Sequence, residues 1–206
     1  MTKILLVRHG HVEGIKPERF RGRTELPLTH RGVLEAQAVA RRIASAWRPV
    51  MVFTSPMQRC VETGRAIANA CGVESEAIDH LNDIDYGAWQ SKSYEEIEKT
   101  DPQAFASWFA TPHLVRFPNG ESLQDMVART ADALRLALDR HAGDIVVLVG
   151  HSSMNRALLL QLLDQPLSAY WRLGQAPCCI NEIDVVGGRI TVVGVNETQH
   201  LDGLPD

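Results

Sequence analysis

Lysine is scarce in this chain: four of its 206 residues, against seventeen arginines. A surface built only for solubility would use more lysine, whereas arginine suits planar, bidentate partners such as phosphate and carboxylate. Arg8, Arg19, Arg21 and Arg23 crowd into one early segment. A cationic excess is lacking, since the net charge is −4, so neither nucleic acid nor an anionic membrane is expected as a partner. Long apolar runs are missing too. The first ends after Val7, and none approaches the length of a membrane span, so no secretory leader is expected and a cytoplasmic setting is. The cysteines, Cys60, Cys71, Cys178 and Cys179, have no C-x-x-C spacing and are expected to be reduced, mostly buried thiols. On a strand, Cys178 and Cys179 would face opposite sides. No repeat, low-complexity tract or linker interrupts the chain, and its length suits one domain over 1–206.

What the chain does have is a set of short apolar runs separated by helical patterns. Ile4–Val7, Val50–Phe53 and Ile145–Val149 read as buried strands. Thr29 is placed to cap a helix whose apolar stripe is Ala36, Ala40, Ile43 and Trp47. Ser55 and Pro56 are placed to start a second helix that buries Cys60, Gly64, Ile67 and Cys71 and carries Arg59 in its first turn. Ser122-x-x-Asp125 forms a capping box before a third, and a helix through Arg156–Leu163 follows the third strand. Two later strands, near Cys179–Val185 and Ile190–Val195, are joined by Gly187-Gly188 as a hairpin. The pattern predicts a three-layer α/β/α sandwich around a mixed, mostly parallel sheet. A less regular, aromatic-rich segment at about 81–119, with short helices near Tyr94–Lys99 and Pro102–Phe109, reads as a lid-like excursion or as a helical insert packed on the core.

Three strands end in conspicuous polar groups. Arg8-His9-Gly10 follows the first, Arg59 lies just beyond the second, and Gly150-His151 follows the third. In an open α/β sheet, ligands bind at the carboxyl ends of parallel strands. A single histidine at such an exit is most often structural, but two histidines and two arginines at three equivalent exits point to a site for an anion.

Arg8-His9-Gly10, Ser55-Pro56-x-x-Arg59-x-x-Glu62-Thr63 and Gly150-His151 together resemble the histidine phosphatase superfamily, which includes phosphoglycerate mutase-like proteins. The likeness extends through Leu26-Pro27-Leu28-Thr29-x-x-Gly32, Gly87-x-Trp89, Gly120-Glu121-Ser122-Leu123 and Asn196-x-Thr198-x-His200-Leu201, nearly the whole chain. The resemblance implies that His9 is a nucleophile forming a phosphohistidine, with Arg8, Arg59 and His151 around the phosphoryl group. No metal or other cofactor is implied. A general acid is implied at Asp83, where the family usually has Glu; Asp85 is a nearby competitor. Ile15 stands where the family often has Asn. Arg21 precedes the family's Gly, here Gly22, and so becomes a candidate contact for phosphate or for a substrate carboxylate; a solvated loop arginine is the alternative.

The implied activity is hydrolysis of a small soluble phosphomonoester, with a homodimer left open as the assembly. Sugar phosphates, phosphoserine, phosphoglycerate derivatives and a cobalamin-pathway nucleotide phosphate all satisfy it. A mutase-type phosphoryl transferase is the alternative, but the family's mutases carry more cations between the acid and Gly-Glu-Ser than Lys92, Lys99 and Arg116 supply. Two rivals come from other classes. A metal-dependent hydrolase would use His9-x-His11, although later strand exits offer few further ligands. A non-catalytic module would keep the fold and lose the chemistry.

Overall fold

The computed structural model describes residues 1–205. Its sheet has six strands in the order β3-β2-β4-β1-β5-β6. The strands are β1 (Thr2–Arg8), β2 (Met51–Thr54), β3 (Glu74–Ala77), β4 (Ile145–Gly150), β5 (Ile180–Val186) and β6 (Arg189–Glu197). β1 to β4 run parallel; β5 lies antiparallel to β1 and forms a hairpin with β6. The sheet is therefore mixed, as the closing hairpin predicts.

Both faces of the parallel strands are covered, which is why their sequences are continuously apolar rather than alternating. Leu5 and Val7 of β1 pack with Val52, Val147 and Val149 against α1 (His30–Ala46) and α2 (Gln58–Cys71). Ile4 and Leu6 pack on the opposite face with Phe53, Val146 and Leu148. That second layer contains α5 (Leu123–Arg140), α6 (Ser152–Leu162) and the aromatic segment with α3 (Tyr94–Thr100) and α4 (Pro102–Ala110). Trp89, Trp108 and Phe117 are buried in this layer, with both tryptophans edge-on to Phe117, so the segment shares its core with the sheet. No described helix is long and apolar enough to cross a membrane.

Thr29 caps α1 by accepting from Gly32 N–H at 3.1 Å, and the Ser122–Asp125 capping box opens α5. Several expectations shift. α2 begins at Gln58: Ser55 Oγ accepts from His151 and from the N–H of Met57 at 3.3 Å, and Pro56 precedes the helix. α6 begins at Ser152, earlier than its apolar pattern suggests. Cys178 and Cys179 precede β5 rather than lie on it; Cys178 has φ of +51°, and both side chains are buried. Cys71 is only half-buried, and the described cysteines are all free. β3 gave no apolar signal, because three of its four residues are exposed at the sheet edge.

The loop leaving β1 is fixed by close backbone packing against the start of α1. A Cβ on Gly10 would lie 2.5 Å from the Gly32 carbonyl oxygen, and one on Gly32 would lie 2.1 Å from that of His11. His11 N–H donates to the buried Glu35 at 2.7 Å, and Thr29 N–H to His11 O at 3.0 Å. Gly32→Ala is expected to cost about 1–3 kcal/mol of stability by overpacking. Urea denaturation measures it, and a loss below about 0.5 kcal/mol would show that the loop yields freely.

Candidate active site

The strand register brings the three polar exits level. Arg8 of β1 is opposite Gly150 of β4, and Thr54 of β2 is opposite Val149. Two bonds continue the alignment past the strands: His9 N–H to Gly150 O at 3.0 Å and Ser55 N–H to Val149 O at 2.9 Å. His9 and His151 consequently meet edge-on, with ring centroids 5.2 Å apart.

His9 is buried, and its Nδ1 lies 2.7 Å from the Gly10 carbonyl oxygen. That oxygen can only accept, so Nδ1 carries the proton and Nε2 keeps its lone pair. Burial, then the charge of Arg59, the neighbouring His151 and the charge of Arg8, hold the His9 pKa well below its usual value. Its imidazole is neutral near pH 7, the form required of a nitrogen nucleophile.

His151, at the N-cap of α6, is fully buried. Arg59 Nε donates to its Nδ1 at 3.3 Å, which leaves Nε2–H to donate to Ser55 Oγ at 2.9 Å. Burial first, and then Arg59, push its pKa well down as well. Asp83 Oδ2 is 3.4 Å from the same Nδ1, which with a neutral ring is proximity rather than an ion pair.

Arg59, in the first turn of α2, is fully buried and ties the site together. Its Nη2 donates to Gly22 O at 2.6 Å and Asp83 Oδ2 at 3.2 Å, and its Nη1 to Thr24 O at 2.8 Å. Arg8 Nη1 donates to Gln175 O at 2.6 Å, while its buried Nε lacks a protein partner. Burial and the charge of Arg21 lower the Arg8 pKa to about 10, so it stays cationic at neutral pH.

Asp83 is buried against the cleft. Its Oδ1 accepts from Ile84 N–H at 2.9 Å and from the Ser153 hydroxyl. The loop carrying it is clamped from behind: Arg129 donates to the carbonyls of Asn82 at 2.6 Å and Asp83 at 3.0 Å. Glu121 pairs with Arg129 at 2.9 Å and Arg23 at 3.0 Å and accepts Asp85 N–H at 3.0 Å. Burial pushes the Glu121 carboxyl up, but these partners outweigh it and keep the group below its usual range. Asp85 turns to Gly87 N–H at 2.8 Å and does not line the cleft, which separates the two candidate acids.

Of these groups His9 and Asp83 line a narrow cavity of about 70 Å³, together with Arg19, Arg21 and Gly22 among others. Gly22 has φ of +44° and turns its carbonyl to Arg59, while Arg21 Nη1 is anchored on Gly14 O at 2.5 Å. His11 points elsewhere, with Nδ1 at 3.0 Å from Thr29 Oγ1. Among the described residues no three His, Cys, Asp or Glu side chains gather as a metal-donor set. Sequence reasoning missed Ser153, Arg156, Tyr170 and Trp171, all of which line the cavity. Ser153 and Arg156 stand three apart on α6, one helical face beyond His151, a spacing that could have flagged them.

The neutral histidines give a pH signature. Both titrate near pH 6.5 once unfolded but resist protonation in the fold. Below about pH 6.5 the unfolded chain therefore binds protons that the folded chain does not, and stability falls as pH drops. Each histidine contributes up to about 1.4 kcal/mol per pH unit. Urea midpoints at acid and neutral pH should show a shallower acid loss in His151→Asn than in the parent; an identical loss would exclude the buried neutral ring as a source.

Comparison with known proteins agrees with this geometry. Residues 4–198 match the model of the histidine phosphatase superfamily (branch 1). Phosphoserine phosphatase 1 of Hydrogenobacter thermophilus is 31% identical over 201 residues, covering 98% of this chain and 95% of the relative. The metal-independent phosphoserine phosphatase of Arabidopsis thaliana is 30% identical over 164 residues, covering 79% and 69%. The solved structure of Bacillus stearothermophilus YhfR superposes with a TM-score of 0.93 at 28% identity, covering 98% of this chain and all of that one. The chain thus belongs to the histidine phosphatase superfamily and is a phosphomonoester hydrolase of that type.

Proposed function

We propose that the enzyme hydrolyses a small phosphomonoester through a phosphohistidine on His9, with Asp83 moving the proton. The observation that carries this reading is the His9 imidazole, neutral by its surroundings and with Nε2 free, set among Arg8, Arg59 and His151 and beside a buried carboxyl group. Nε2 attacks phosphorus, the bond to the ester oxygen breaks, and that oxygen takes the leaving electron pair and a proton from Asp83. Water then attacks the phosphohistidine, Asp83 accepts its proton, and the N–P electron pair returns to the imidazole as phosphate departs. Arg8 and Arg59 offset charge on the transferring oxygens, an effect worth about 3–4 kcal/mol per preorganised donor.

Hydrolysis fits the residues better than transfer to a second hydroxyl. Lys92, Lys99 and Arg116, the cations between Asp83 and Gly120, are exposed and do not line the cavity. Lys99 pairs with Glu95 and Arg116 with Asp125, both away from the cavity. Two relatives are named for phosphoserine, so O-phosphoserine is the first substrate to test.

The test is an assay of phosphate release with a chelator present. His9→Ala is expected to lose all but background hydrolysis; equal activity in both proteins would overturn the mechanism. Asp83→Asn is expected to slow an alkyl phosphate by about 10²-fold or more. Nitrophenyl phosphate, whose leaving group needs little protonation, should slow far less. Equal slowing of the two would remove Asp83 as the acid.

A further inference from the structure

Arg8 and Arg59 are both buried, but they are held in different ways. Arg59 donates to four partners, one of them the Asp83 carboxylate. Among the described residues the Arg8 guanidinium makes one hydrogen bond, from Nη1 to the Gln175 carbonyl at 2.6 Å, and its buried Nε makes none. The direction of this cation therefore depends on where a single carbonyl stands. That carbonyl belongs to the 173–179 connection between the 3₁₀ turn at Leu167–Arg172 and β5, outside any helix or strand.

A cluster of buried amides fixes this connection instead. Gln175 Nε2 donates to Asn181 Oδ1 at 2.7 Å and to Gly174 O at 2.9 Å. Its Oε1 accepts from Asn155 Nδ2 and from Asn181 Nδ2, both at 2.9 Å. Asn181 lies on β5 opposite Leu6 of β1, and its Nδ2 also donates to the Leu6 carbonyl at 2.9 Å. Asn196 N–H donates to Asn181 Oδ1 at 2.9 Å, and Asn196 Oδ1 accepts Ala176 N–H at 2.7 Å. Side chains from α6, β5 and β6 thus converge on the residue that anchors Arg8, and Leu6 ties them to the strand that carries it. Asn155 and Asn181 are fully buried and Gln175 nearly so. Buried amides are costly unless paired, and apolar residues of the same shape would fill this space at lower cost. Asn155 even leaves its Oδ1 buried without a partner, a cost that stability alone would remove. What a bonded amide cluster supplies and an apolar filling does not is a fixed backbone position.

We propose that Asn155, Gln175 and Asn181 are positioning residues for Arg8: the amide cluster holds the Gln175 carbonyl, and that carbonyl aims the guanidinium. None of the three lines the cavity. The inference rests on the reading above that Arg8 offsets charge on the transferring oxygens. A guanidinium displaced by about 1 Å keeps its charge but loses its directed hydrogen bonds in the transition state, so the cluster acts on kcat far more than on KM.

The test uses two changes. Gln175→Met keeps the side-chain volume and the main-chain carbonyl but removes the cluster. Asn155→Ala removes a single bond from it and serves where Gln175→Met does not fold. On nitrophenyl phosphate, Gln175→Met is expected to lower kcat by about 10- to 100-fold with little change in KM, and Asn155→Ala to lower it less. Both changes are then repeated in an Arg8→Met protein, where no guanidinium remains to be aimed. There they should have no further effect on hydrolysis or on affinity for orthovanadate, a transition-state analogue whose binding is titrated without turnover. Equal losses with and without Arg8 would reduce the cluster to a fold element and strike the inference, as would an unchanged kcat in both variants. An Arg8→Met protein that hydrolyses substrate and binds vanadate like the parent would remove Arg8 from the proposed reaction itself. A defective Arg8→Met beside an unimpaired Gln175→Met would spare that reaction and end only the positioning role.

Discussion

A single buried cation, Arg59, is the constraint on which the site depends. Its guanidinium is out of water, and an isolated buried charge would cost far more than a small domain can spare. The fold compensates by bringing four partners from three segments to it. These are the carbonyls of Gly22 and Thr24, the carboxylate of Asp83 and the ring of His151. Because those partners come from the loop after β1, the loop after β3 and the start of α6, satisfying Arg59 also sets where Gly22, Asp83 and His151 stand. Loss of a partner from such a buried pair typically costs about 3–5 kcal/mol, a large fraction of ordinary domain stability.

The sheet supplies the precision that this arrangement needs. Parallel strands in level register put His9 and His151 side by side, and burial on both faces keeps those strands from slipping. The Asp83 loop has no strand to hold it directly, so it relies on the Arg129–Glu121–Arg23 network gripping its backbone. Those three residues act through position. They line up behind the loop, while Asp83 faces the cavity.

Much of this was legible in the sequence, for identifiable reasons. Val7, Phe53 and Val149 belong to apolar runs strong enough to mark strands, and the groups after them stood out by chemistry. Thr29 and the Ser122–Asp125 box announced their helices because capping is a local interaction. What stayed hidden depends on distant contacts. Ser55 reads as a helix cap, but its hydroxyl is shared between the Met57 N–H and His151, 96 residues away. β3 has no apolar pattern because it lies at the sheet edge, with only its pairing to β2 defining it. The family resemblance favours Asp83 over Asp85 as the acid, and in the fold the two carboxylates turn to different partners.

The choice of arginine over lysine follows from the same physics. A buried lysine readily gives up its proton, whereas Arg8 keeps its charge even with burial and Arg21 pulling its pKa to about 10. The neighbouring histidines shift the same way from a much lower starting value, so the same burial and cations leave them neutral. One electrostatic environment thus produces lasting cations beside an uncharged imidazole, the pairing that the proposed phosphohistidine step needs. A lysine at position 59 could not donate at once to two carbonyls, a carboxylate and a ring nitrogen with fixed directions. The arginine-rich, lysine-poor composition is therefore the chemistry of the site written into the chain.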